Sequence, residues 1–115
     1  MEKDYKAIEY SKFVNLSEIA DDLFEKCHNV LVAKNKDYSG ATDSLRNFKV
    51  SAEVSGVTMS QGILTRLMDK MLRVGNLIKN EAVVKDESIY DTLMDAINYC
   101  VILYAALQEE RNGEN

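Results

Sequence analysis

"KDESIYDTLMDAINYCVILYAALQ", residues 85–108, decides how this chain folds. The first half holds the acids Asp86, Glu87, Asp91 and Asp95, and the last three recur at every fourth position. On a helix that spacing stacks them along one face, where like charges repel. The second half is apolar: from Ala96 to Leu107 only Asn98 falls outside the hydrophobic class. No glycine or proline interrupts the stretch, so it predicts one helix, capped by Asp86 and running to about Gln108. Acids in its first turn suit the positive end of the helix dipole. A helix that is apolar all round must be buried all round. A 115-residue chain with three long helices cannot do that alone. A homo-oligomer is therefore expected, dimer or higher, with this helix and the first long helix packed across a symmetry axis.

Working outward, helical periodicity recurs upstream. Asn15 with Glu18 resembles a capping box, and Leu16, Ile19, Ala20, Leu23, Phe24, Cys27, Val30 and Leu31 follow at helical spacing. That predicts a helix from about Leu16 to about Lys36. "DYSGATDS" (37–44) reads as a loop. "LRNFKVSAEVSG" (45–56) reads as a short helix stopped by Gly56. A third long helix, capped by Thr58 or Ser60, carries Ile63, Leu64, Leu67, Met68, Met71, Leu72 and Ile78 on one side. Its other side carries Arg66, Asp69, Arg73, Asn76 and Asn80. The chain has no proline, which also favours helices. The expected fold is all-α: one domain over 1–115, a small bundle of three to four helices, with an N-terminal arm at 1–14 and a flexible tail at 109–115.

No apolar run is long enough for a membrane span, and "MEKDYKAIEY" lacks a signal-peptide core. A cytoplasmic protein is expected, with Cys27 and Cys100 as reduced thiols on apolar helical positions. The formal net charge of −5 argues against non-specific DNA or membrane binding. Its distribution says more. Residues 31–80 carry eight bases and four acids, whereas residues 81–115 carry eight acids and two bases. A basic middle and an acidic end can neutralise each other, or form two halves of a site for a metal-chelated phosphate.

Three clusters could carry such chemistry. Glu87, Asp91 and Asp95, with Asn98 one turn further, offer the oxygen ligands that Mg²⁺ prefers. The alternative is a solvated face, or ion pairs to Arg66, Lys70 and Arg73. "RLMDKMLR" (66–73) places Arg66, Lys70 and Arg73 to bind phosphate, with Asp69 as a further metal ligand. "KNKDYSG" (34–40) and "LRNF" (45–48) add Lys34 and Lys36 as phosphate contacts, and Tyr38, Asn47 and Phe48, together with Asn98, as base or sugar contacts. The single histidine, His28, reads as core edge or surface. No nucleophile–His–acid set, phosphate-cradling glycine loop or zinc spacing is present.

"KNKDY" (34–38), "LRNF" (45–48), "GILTRLMDKMLRVGNLI" (62–78) and "VKDESIYDTLMDAINY" (84–99) resemble a bacterial and phage family called nucleotide modification associated domain 1. The resemblance spans about Lys34 to Leu107. It implies a small helical protein near nucleotide or modified-base metabolism. The helical layout also looks like the all-α nucleoside triphosphate pyrophosphatases of the MazG and dimeric dUTPase group, which implies Mg²⁺-dependent cleavage of a phosphoanhydride. In that reading Glu87, Asp91 and Asp95 are the catalytic acids, holding Mg²⁺ with Asp69. The match departs from the group's pattern. Asp69 stands alone among bases where that group has several acids, and Glu87 and Asp91 are four apart instead of three. Two functions are therefore carried forward. One is a nucleotide-binding enzyme with Mg²⁺-dependent hydrolysis of a nucleoside triphosphate or related phosphoanhydride. The other is a non-catalytic phage protein that sequesters a nucleotide or nucleotide-derived signal.

Overall fold

A computed structural model describes residues 14–38, 43–80 and 88–114. The described residues form helices and no strand, as the periodicity predicts. There are four: α1 (Leu16–Tyr38), α2 (Arg46–Ser55), α3 (Met59–Lys79) and α4 (Ser88–Glu114). The expected arm at 1–14, apart from Val14, and the Asp86 cap lie outside the described residues. α4 runs to Glu114, past the Gln108 end expected, so residues 109–114 are helical.

Local chemistry explains most helix ends. Asn15 Oδ1 accepts the Glu18 backbone N–H at 3.2 Å, which supplies the first half of the expected cap on α1. α2 ends at Gly56, whose φ of +72° is the left-handed conformation that glycine adopts without a Cβ penalty. Thr58, of the two candidates, caps α3. Its Oγ1 accepts from Gln61 N–H at 3.1 Å, while Gln61 Oε1 accepts from Thr58 N–H at 3.0 Å. Ser60 serves another purpose. Its N–H and its hydroxyl both reach the Glu110 carboxylate at 2.8 Å, tying the start of α3 to the end of α4. α2 starts without a side-chain cap: its N-cap is Leu45, whose own N–H is held by Asp43 Oδ1 of the loop at 2.9 Å.

α3 and α4 form an antiparallel hairpin, which is the main packed unit. Apolar clusters fasten both ends. At one end Met59 and Ile63 of α3 meet Ala106 of α4, with Leu45 and Ala52 from the α2 side. At the other end Val74 and Leu77 meet Ile89. Between them the hairpin is polar: Lys70 Nζ contacts Asp95 Oδ2 at 3.1 Å, and Arg73 Nε donates to Thr92 Oγ1 at 3.3 Å. α2 packs on α3, and α1 packs on α4. The α1 contact is specific, since buried Asn98 donates from Nδ2 to the Cys27 carbonyl at 3.0 Å.

The core is small. Of the described side chains only Ile63 is both large and fully buried. α4 is not buried all round as its composition predicts: Cys100, Val101, Tyr104 and Leu107 are exposed. The physical reason is that α3 and α1 cover two of its sides and no other described residue covers the rest. Cys100 is accordingly an exposed thiol, while Cys27 is a buried one, and both are free. His28 is exposed.

Candidate functional site

A cavity of about 620 Å³ opens where all four helices approach one another, within the usual volume range of small-molecule sites. Each helix contributes for a reason visible in its sequence. On α1, Cys27, Leu31, Lys34 and Asn35 recur at helical spacing on the side that meets α4, so Leu31, Lys34 and Asn35 reach the wall. At the start of α2, Asn47 and Phe48 turn toward it, with Leu45 beneath. Arg66 and Lys70 stand one turn apart on α3. Asp95, Asn98 and Tyr99 come from α4.

The sequence candidates thus divide. Lys34, Asn47, Phe48, Arg66, Lys70, Asp95 and Asn98 are brought together around one cavity. Asp69, Arg73 and Asp91 are exposed and do not line it. Glu87 and the side chains of Lys36 and Tyr38 lie outside the described residues. Asn35, Ser44 and Tyr99 line the wall without having been singled out. For Asn35 the signal was present, a polar residue four positions after Leu31 on an otherwise packed stripe.

Asp95 organises the cationic side. Its Oδ1 lies 3.4 Å from Lys34 Nζ, and its Oδ2 lies 3.1 Å from Lys70 Nζ. One carboxylate so holds two ammonium groups from different helices. Three cations (Lys34, Arg66, Lys70) surround one acid in the wall, which leaves an excess of positive charge. Arg66 sits over the Phe48 ring, its guanidinium carbon 5.5 Å from the centroid, and donates to Ser51 Oγ at 3.2 Å. Tyr99 meets Phe48 edge-on, centroids 6.4 Å apart and planes at 83°. These contacts fix the orientation of the aromatic ring in the wall.

The two asparagines differ. Asn98 is buried and engaged with the Cys27 carbonyl, so its amide N–H serves the α1–α4 junction. Asn35 Oδ1 is buried with no hydrogen-bond partner. A buried carbonyl oxygen without a donor is unfavourable, and this one belongs to a residue in the cavity wall. Nearby, burial and then the charge of Asp95 push the Cys27 thiol above its ordinary value, so it stays protonated.

The fit to Mg²⁺ can be judged on the donors. Among the described residues no group of three His, Cys, Asp or Glu side chains could hold a metal ion. Both Asp95 oxygens already face ammonium groups. These residues alone do not make a cation cage.

Fold and wall together define a class: a small all-helical protein with a cationic, aromatic-lined cavity assembled from four helices. The chain belongs to the nucleotide modification associated domain 1 family, whose model matches residues 34–107. That span takes in every cavity residue except Leu31. No curated protein and no solved structure matches the chain. No helix among the described residues is long and apolar enough to cross a membrane.

Proposed function

We propose that this chain binds a nucleotide or nucleotide-derived small molecule in the four-helix cavity. One observation carries the reading: Lys34, Arg66 and Lys70 converge on the same cavity as Phe48 and Asn47. Phosphates need cations, and bases need a π-face and an amide edge. In this reading Asp95 holds the two lysines in place until a phosphate takes over their charge. Family membership supports the same chemistry. Self-association belongs to the reading too, supported by the many large apolar side chains left exposed on the single chain.

Two outcomes of binding remain in play. Hydrolysis with Mg²⁺ would call on Asp91, exposed one turn before Asp95 but outside the cavity wall, to reach a metal carried by the ligand's phosphates. Capture without cleavage is supported by the occupied Asp95 oxygens.

Calorimetry across nucleoside mono-, di- and triphosphates and cyclic dinucleotides, with and without EDTA, tests the reading. Binding is expected to require a phosphate. Lys70→Ala and Arg66→Ala are each expected to weaken it by about tenfold or more, the loss of one charge-assisted contact. A wild-type chain that binds none of the panel, or variants that bind as well as wild type, would sink it. Phosphate or pyrophosphate released with Mg²⁺ and lost in Asp91→Ala identifies hydrolysis. Intact ligand recovered from an EDTA-insensitive complex identifies capture.

A further inference from the structure

The α3–α4 hairpin has a second face. Toward α4, helix α3 presents Ile63, Leu67, Lys70, Val74 and Leu77, a repeat of alternating four and three residues. One position later the same repeat runs again through Leu64, Met68, Met71, Gly75 and Ile78. This second stripe is exposed: Leu64 is 46 %, Met68 49 %, Met71 45 % and Ile78 62 % accessible. α4 does the same. Ile89, Thr92, Ala96, Tyr99, Leu103 and Ala106 face α3, and Leu93, Ile97, Cys100, Tyr104 and Leu107 follow one position later. Leu93, Cys100, Tyr104 and Leu107 are exposed.

The two stripes lie on one side of the hairpin. A step of one residue turns a helix by about 100°. Viewed from one end, antiparallel helices turn in opposite senses, so a forward step on each swings both stripes the same way. A backward step swings to the opposite side. There sit Arg66, which contacts α2, and Asp95 and Asn98, which contact α1. α1, α2 and the cavity therefore occupy one side of the hairpin, and the apolar face is on the other.

We propose that this face, formed by the exposed stripes of α3 and α4, packs against the same face of a second copy to form a four-helix bundle. Three observations favour a second copy. The four-three spacing on two neighbouring antiparallel helices is half of such a bundle, and a two-fold axis supplies the matching half with identical spacing. The nine stripe residues named as exposed or as Gly75 include no carboxylate, so the chain's net charge of −5 does not oppose self-contact here. The stripes run about 20–25 Å along two helices about 10 Å apart, which brings on the order of 1,000 Å² of two copies together, the scale a specific interface needs. Gly75 fits this arrangement: a Cβ there would meet nothing within 4 Å among the described residues, so their packing does not call for glycine. A helix crossing against it does, since small residues let helices approach closely. The cavities of the two copies then open on the outer sides of the bundle, each complete within one chain. The proposal is independent of what the cavity binds.

Light scattering and thiol labelling test it together on the full chain. The wild type is expected to run at twice its 13.0 kDa chain mass, with Cys100 labelling slowly. Met68→Glu with Met71→Glu is expected to be monomeric, helical by circular dichroism, and at least about tenfold faster in Cys100 labelling, since desolvating carboxylates at the seam is costly. Val54→Glu, an equally drastic change at an exposed α2 residue off this face, is expected to remain dimeric. A wild type that is monomeric at micromolar concentration, whatever shields Cys100, overturns the proposal. So does a dimer that survives the double substitution, or a dimer whose Cys100 labels like a free thiol. The labelling of the wild type decides the matter even where the double variant does not fold.

Discussion

Asn35 and Asn98 separate what a residue does for the fold from what it offers a ligand. Asn98 is buried and donates across the α1–α4 junction. Replacing it with alanine removes that bond and leaves a gap, so Asn98→Ala is expected to cost about 1–2 kcal/mol in urea denaturation. Asn35 holds a buried oxygen with no donor. Asn35→Ala removes an unsatisfied group and is expected to change stability by less than about 0.5 kcal/mol. If the cavity accepts a nucleotide, the same variant is expected to weaken binding by about tenfold, because a ligand N–H is the partner that oxygen lacks. A loss of stability at Asn35 with unchanged binding would contradict this assignment. The sequence reading placed Asn98 with the ligand and passed over Asn35. Its position at the acid ladder made Asn98 conspicuous, whereas Asn35 lay inside a basic stretch. Spacing shows which residues share a helix face, but not which of them finds a partner, since that depends on where the neighbouring helix lies.

At the scale of elements, helix ends were the most legible part. Gly56 and Thr58 act where their chemistry predicts, because capping depends on residues within one turn. Tertiary ties were not legible. Asp43 in the loop, Lys49 on α2 and Glu109 on α4 form one charged link: Lys49 Nζ lies 2.9 Å from Asp43 Oδ2 and pairs with Glu109. Hydrogen bonding to Lys49, then to the Leu45 N–H, holds the Asp43 carboxyl below its ordinary value. Glu109, then Asp43, raises Lys49. The signs are opposite. A lowered Asp43 contributes stability above the ordinary aspartate value near ~3.9, and that contribution is lost as pH falls through its lowered value. A raised Lys49 contributes below its ordinary value near ~10.4, lost as pH rises through the raised one. Asp43→Ala is therefore expected to be less stable than wild type at neutral pH, by a gap that closes on acidification. A gap that stays constant down to strongly acid pH would assign the loss to packing instead of charge.

For the whole molecule, the amount of apolar surface decides. The sequence called for more burial than one chain provides, and the exposed α3 and α4 stripes show where the excess lies. It placed the symmetry axis on the last helix and the first long helix because α4 looked apolar all round. Periodicity alone cannot say that α1 covers the Asp95–Asn98 side of α4, leaving the Cys100–Tyr104 side and the α3 stripe exposed. Nor could composition tell that Arg66 and Lys70 face a cavity while Arg73, on the same helix, does not. The small core has a thermodynamic consequence. If two copies pair as proposed, a chain in which Ile63 is the one large, fully buried side chain among the described residues draws much of its stability from the second copy. Folding coupled to association then makes the midpoint depend on protein concentration. Each tenfold increase favours the assembled state by about 1.4 kcal/mol per dimer. Shared between two chains of this size, that is expected to raise the thermal midpoint by roughly 2–4 °C. The Met68→Glu, Met71→Glu chain is expected to melt lower, at a midpoint that does not move with concentration. Calorimetric scans of both proteins across two decades of concentration measure this directly. A wild-type midpoint that stays fixed would mean that the single chain, despite its exposed seams, carries its own stability.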